Sequence, residues 1–135
     1  MKISNASAIV AVNALTALFN VGGAGKIEYY DGTKPADADT AITSQNLLGT
    51  STLAVTAFPT AVDSTGSATA TSNAVPQVQV TAAGTVSWAR AFDGNGLVVC
   101  DGNVALSAAD FVVDDLSWEV DDNINVNSFT INLAE

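Results

Sequence analysis
The chain contains no histidine and only one cysteine, Cys100. Without histidine it lacks the commonest general base near neutral pH, the commonest metal ligand and every Ser-His or Cys-His nucleophile pair. With one cysteine no intrachain disulfide can form, which excludes the small secreted scaffolds that disulfides hold together. Basic residues are nearly as scarce: Lys2, Lys26, Lys34 and Arg90 face 14 acidic residues, giving a formal net charge of −10. Nucleic-acid binding needs clustered Lys and Arg to release counterions from phosphate, and no such cluster exists here. The same balance disfavours anionic membrane surfaces. Aromatic residues make up 7% of the chain against 48% for hydrophobic residues as a whole, so the apolar content is mostly Ala and Val with some Leu and Ile. That composition suits thin, closely packed layers rather than large pockets.

Long apolar runs are also missing, and no uninterrupted stretch approaches the roughly 18 residues that a membrane span requires. Lys2, the apolar residues 8–19 and the small residues 22–25 loosely imitate a signal peptide. Asn13, Thr16 and Asn20 interrupt that run where a signal core is continuous, so the expectation is an N-terminus that is not cleaved. The 135 residues fit one domain, long enough to bury roughly two-thirds of the surface of its unfolded form.

One segment has a helical period. Ala8, Ala11, Val12, Leu15, Leu18 and Phe19 share a face at 3.6 residues per turn, and Asn13, Thr16 and Asn20 fall opposite. Ser4 or Ser7 can cap the start, and Gly22-Gly23 supplies a permissive stop. The helix has a face to bury, against its own sheet or in a groove on a neighbouring subunit. Residues 1–25 therefore form an N-terminal helix and glycine linker, and residues 26–135 the main domain.

After the glycines the period becomes two. Ile27 and Tyr29 point one way in residues 26–30, leaving Tyr30 outward as the best exposed aromatic and a candidate interface residue. Asp31-Gly32 ends that strand, and residues 35–46 read as a surface loop. Further alternation appears at 52–58 with Leu53, Val55 and Ala57, at 77–81 with Val78 and Val80, and at 85–92 with Val86 and Trp88. Asp93-Gly94-Asn95-Gly96 is the strongest turn and predicts a hairpin to residues 97–101, stopped by Gly102. The last third offers strands at 110–114, at Leu116, Trp118 and Val120, and at 124–133 with Phe129, Ile131 and Leu133 on one face. Residues 63–73, almost all small and polar, read either as a flexible loop or as an exposed edge strand. The count is about seven or eight short strands, the pattern of an all-β, jelly-roll-like sandwich with one N-terminal amphipathic helix.

The candidates for chemistry are few. Asp93 and Asp101, at opposite ends of the hairpin segment, are the best pair for glycoside hydrolysis, which needs two carboxyl groups about 5–10 Å apart. Each borders a turn, where Asp bonds to nearby backbone, and that explanation is preferred. Residues 93–96 and Asp121-Asp122-Asn123 offer oxygen ligands for calcium without EF-hand spacing, so solvated turns are the expectation. The glycines at 22–25 follow a helix, whereas a phosphate-cradling loop leads into one. The expectation is no catalytic residue, no metal site and no cofactor. Cys100 alternates with Val98 as a small buried hydrophobe. Trp88 and Trp118 read as core anchors, and Arg90 as a residue that stacks on a ring or pairs with a carboxylate.

Several stretches carry a family resemblance: the Ala-rich helix ending in Val21-Gly22-Gly23-Ala24-Gly25; Lys26-Ile27-Glu28-Tyr29-Tyr30-Asp31-Gly32-Thr33-Lys34-Pro35; Thr85-Val86-Ser87-Trp88-Ala89-Arg90; and Asn127-Ser128-Phe129-Thr130-Ile131. Over most of its length the chain resembles the head-decoration, or capsid-cement, proteins of tailed bacteriophages. The resemblance implies a jelly-roll-like sandwich that forms homotrimers on the outer surface of the virion's capsid and clamps neighbouring major capsid protein subunits. The alternative is a tail-tip or fibre-associated module that recognises a host surface glycan; such a module displays aromatic rings on its loops, and these loops have few.

Overall fold
In a computed structural model that describes residues Met1–Glu135, Ser4 opens the N-terminal helix by accepting the Ser7 backbone N–H on its hydroxyl at 3.2 Å. That helix, α1 (Asn5–Ala17), ends in a single 3-10 turn, Leu18–Asn20. Gly22 and Gly23 then take φ of +76° and +110°, conformations that only glycine adopts freely. They fold the chain back against the distant hairpin turn: the Gly94 N–H donates to the Val21 carbonyl at 2.8 Å. A Cβ on Gly94 would lie 2.6 Å from backbone atoms of Gly22 and Gly23.

The strands follow in chain order as β1 (Lys26–Tyr30), β2 (Leu47–Thr52), β3 (Val62–Ser64), β4 (Ser67–Thr71), β5 (Val78–Val80) and β6 (Gly84–Thr85). They continue as β7 (Trp88–Phe92), β8 (Val98–Ala105), β9 (Phe111–Val113), β10 (Ser117–Trp118), β11 (Asn123–Ile124) and β12 (Val126–Ala134). Ten of them form one curled sheet in the order β11-β5-β2-β1-β7-β8-β9-β12-β4-β3, and β10 pairs separately with β6. Every pairing is antiparallel except β8 with β9. The protein is thus mostly β with one N-terminal helix.

The core lies on the concave face. Ile27 and Tyr29 of β1, Ala89 and Ala91 of β7, Phe111, Phe129 and Trp118 meet there with Ala8, Val12 and Phe19 from the helical segment. Small residues let the layers approach: Ala68 and Ala70 of β4 are buried where α1 packs on that strand. Four rings form the densest part, with Phe129 4.3 Å from Phe111, 5.0 Å from Phe58 and 5.6 Å from Phe19 between ring centroids.

Several expectations need correction. Thr16 is buried with Ala8, Val12 and Phe19, whereas Leu18 is exposed, so the inner stripe is rotated from the predicted face. Asn13 and Asn20 are half-buried because their side-chain oxygens accept the Ala61 and Ala57 N–H groups at 2.7 and 2.9 Å, fastening the 56–61 segment to the helix. The strand predicted at 52–58 lies earlier, at β2; beyond it Leu53 and Ala57 are buried in irregular chain and Val55 is exposed. Gly102 does not stop its strand but sits within β8, where a Cβ would come 2.6 Å from the Phe111 ring. Of the two readings of residues 63–73, the exposed edge strand is the one that holds: they belong largely to the β3–β4 hairpin, with β3 as the sheet edge. Val86 joins the main core while Trp88 does not, because the chain breaks between β6 and β7 and Trp88 faces the opposite side of the sheet. Val120 is exposed beyond the two-residue β10.

Candidate interaction surface
The period of two correctly turns Tyr30 to the outer face of β1, yet Tyr30 is only 5% exposed, which overturns its reading as a free interface aromatic. The register explains why. Tyr30 lies opposite Trp88, and Glu28 opposite Arg90, which in turn lies opposite Asp101 of β8. Tyr30 and Trp88 stack at 4.7 Å between centroids with an interplanar angle of 16°. The Arg90 guanidinium stands 5.6 Å from the Trp88 ring and grips Asp101 with two bonds, Nε to Oδ1 at 2.7 Å and Nη2 to Oδ2 at 2.8 Å. Both predicted roles of Arg90, stacking and pairing, hold at once. Asp101 also raises the Arg90 pKa above its ordinary value, chiefly through this hydrogen bonding.

Residues 31–46 form a strap across this second layer. The Trp88 indole N–H donates to the Asp31 carbonyl at 3.0 Å, the Ser87 hydroxyl to the Gly32 carbonyl at 2.6 Å, and Arg90 Nη2 to the Thr40 carbonyl at 3.0 Å. The strap closes at its neck, where the Asp31 carboxylate accepts the Asn46 backbone and side-chain N–H groups at 2.6 and 2.9 Å. These bonds, the side-chain one first, hold the Asp31 pKa below the ordinary carboxylate range. A lowered folded-state pKa means that the clamp's stabilisation is complete above the unfolded pKa and is lost as pH falls through the folded value. The expected result is that Asp31→Ala lowers the melting temperature by about 2–5 °C near pH 6 and by less near pH 3, below the unfolded pKa. Thermal scans at the two pH values check this.

Other carboxylates do similar local work. Asp93 Oδ1 accepts the Asn95 and Leu97 N–H groups at 2.8 and 2.9 Å, shaping the β7–β8 turn. Asp93 and Asp101 are thus engaged with separate partners. Asp110, Asp114, Asp115 and Asp122 accept backbone N–H groups of Asn103, Asn125, Ser117 and Glu119 respectively. Cys100 is half-buried, and burial, reinforced by Asp101 and Asp110, pushes its thiol pKa up to about 12. The thiolate that would act as a nucleophile is therefore scarce near neutral pH.

The fold leaves the back of the helical segment uncovered. Its inner stripe rests on β4 and β12, but Val10 is 68% exposed and Leu18 and Val21 are each 46% exposed, alongside exposed Ala14 and Ala17. A helix that is apolar all round ordinarily buries both sides. Residues 3–25 carry no charge at all, within a body of net charge −10. The Gly94–Val21 contact brings the β7–β8 hairpin, with exposed Leu97, to the same end as Leu18 and Val21. Sequence reasoning found the helix but assigned it only one apolar face; the signal available was the lack of any charged residue around the helix. No helix is long and apolar enough to cross a membrane. No protein-family model matches the chain, and no curated protein or solved structure matches it either.

Proposed function
We propose that the chain is a structural virion protein of the phage head-decoration type, a jelly-roll-like sandwich that acts by binding protein surfaces rather than by catalysis. The observation that carries this reading is the outer face of α1 and the turn that follows it, an uncharged apolar surface around Val10, Leu18 and Val21 on an otherwise acidic body. Desolvating such a face against another subunit supplies favourable free energy at roughly 25 cal/mol per Å² of apolar area. The resemblance of residues 21–35, 85–90 and 127–131 to capsid-cement proteins supplies the rest: homotrimers on the outer capsid surface that clamp neighbouring major capsid protein subunits. Many modest contacts repeated over a lattice resist internal pressure without any single tight site. The acidity is compatible with a position away from the packaged genome.

The tail-tip reading finds one feature in its favour, an open groove of about 490 Å³ lined by polar Asn103, Asp110, Ser128, Thr130 and Asn132. No aromatic ring lines it to stack on a sugar. Quantitative mass spectrometry of purified particles distinguishes the two readings. A decoration protein is expected in copy number comparable to the major capsid protein, whereas a handful of copies per particle overturns the proposal. The Val10→Glu and Leu18→Glu double variant, folded by circular dichroism, is expected to be missing from the particles.

A further inference from the structure
The curled sheet has a fork in it. β9 lies between β8 and β12, but it spans only Phe111–Val113 and pairs with β8 only at Val104 and Ala105. Its pairing with β12 ends at Phe129. Beyond those points β8 continues through Cys100, Asp101 and Gly102, and β12 through Ile131 to Ala134, each paired only on its far side, to β7 and β4 respectively. The two strands are not neighbours in the hydrogen-bonded order. A cavity of about 150 Å³ opens between them; its apolar half is Leu15 of α1, Cys100, Phe111, Phe129 and Ile131, and its polar half includes Asp101 and Asp110. The Asp110 backbone carbonyl already accepts the Thr130 N–H at 2.8 Å, and its exposed carboxylate accepts the Asn103 N–H at 2.8 Å. Asp110 therefore ends β9 by bridging both flanking strands.

Two strand edges that face each other across a slot with an apolar side form a template for a further strand, because main-chain groups provide affinity and alternate side chains provide selectivity. We propose that this fork receives an extended segment of a partner protein as an added strand in line with β9. Its inward side chain is apolar, against Leu15, Phe111 and Phe129, and an adjacent outward side chain is Lys or Arg beside Asp110. Charge decides against a second copy as the donor. Of the four basic residues, Lys26 and Arg90 are held in ion pairs with Glu28 and Asp101, and the other two, Lys2 and Lys34, lie outside every strand, so a second copy has no extended basic segment to offer. This inference does not rest on the capsid reading, since any protein with such a segment fits.

Amide hydrogen exchange of the full chain, followed by NMR, tests it with two blocked peptides, Thr-Val-Lys-Val-Thr and the same peptide with Glu at its centre. The amides of residues 100–102 and 131–133 that turn into the fork are expected to exchange rapidly in the free chain. The Lys peptide at ~1 mM is expected to slow them by about tenfold, the Glu peptide is expected to leave them unchanged, and Asp110→Asn is expected to abolish the difference. Fork amides already as protected as those of β7, no slowing by the Lys peptide, or equal slowing by both peptides would each overturn the proposal. Protection that rises with protein concentration and no peptide present would overturn it too, by identifying a second copy as the occupant.

Discussion

Asp101→Ala is expected to lower the unfolding free energy by about 3–5 kcal/mol, because it leaves the Arg90 guanidinium buried beneath the strap without its counter-charge. Arg90 is 4% exposed, and its remaining bond is to the Thr40 carbonyl. A single-domain protein has only about 5–15 kcal/mol to lose, so the variant is expected to be close to unfolding. Burial makes the effect large: an exposed pair of the same geometry contributes about 1 kcal/mol or less. The double variant Arg90→Met, Asp101→Leu is expected to recover most of the loss, since removing both charges also removes the cost of desolvating them. Urea denaturation of the two variants measures both effects. A loss below about 1 kcal/mol for Asp101→Ala would mean that water reaches the pair and that the strap does not stay closed over it.

That ion pair also shows how far the sequence could be read. Alternation placed Tyr30, Trp88 and Arg90 correctly in relation to their strands, and the Asp-Gly-Asn-Gly turn fixed which strands β7 and β8 would be. It did not reveal that outward-facing and exposed differ here, because the cover is an irregular strap held by backbone carbonyls of Asp31, Gly32 and Thr40. Carbonyls leave no trace in residue identity. The helix failed for a related reason: Asn13 and Asn20 look like solvent residues, yet they serve as backbone partners for Ala61 and Ala57. Gly102 looked like a terminator because glycine commonly ends strands, but the Phe111 ring needs its missing Cβ. The acidic turns were legible, since Asp93 and Asp122 bond to backbone close by in sequence. The fork was not, because it arises where the parallel β8–β9 pairing stops short, and non-local pairing is not encoded in any local period.

Phe129→Ala is expected to be the most damaging change in the concave core, at about 3–5 kcal/mol. Phe129 is 1% exposed, and its ring touches three others drawn from separate parts of the chain. Phe19 comes from the turn that ends the helical segment, Phe58 from the irregular chain after β2, and Phe111 from β9. Phe19 and Phe111 are themselves fully buried, which limits how far they can move into the vacated space. The cavity term therefore adds almost in full to the lost transfer free energy. Phe129→Leu keeps most of the volume and is expected to cost about half as much or less. Phe129 also lines the fork cavity, so its removal enlarges the slot that would receive a partner strand. Denaturation curves for the Ala and Leu variants separate filling of space from ring stacking. A Leu variant as unstable as the Ala variant would assign the loss to the ring contacts, which ordinarily contribute about 0.5–1.5 kcal/mol per pair beyond burial.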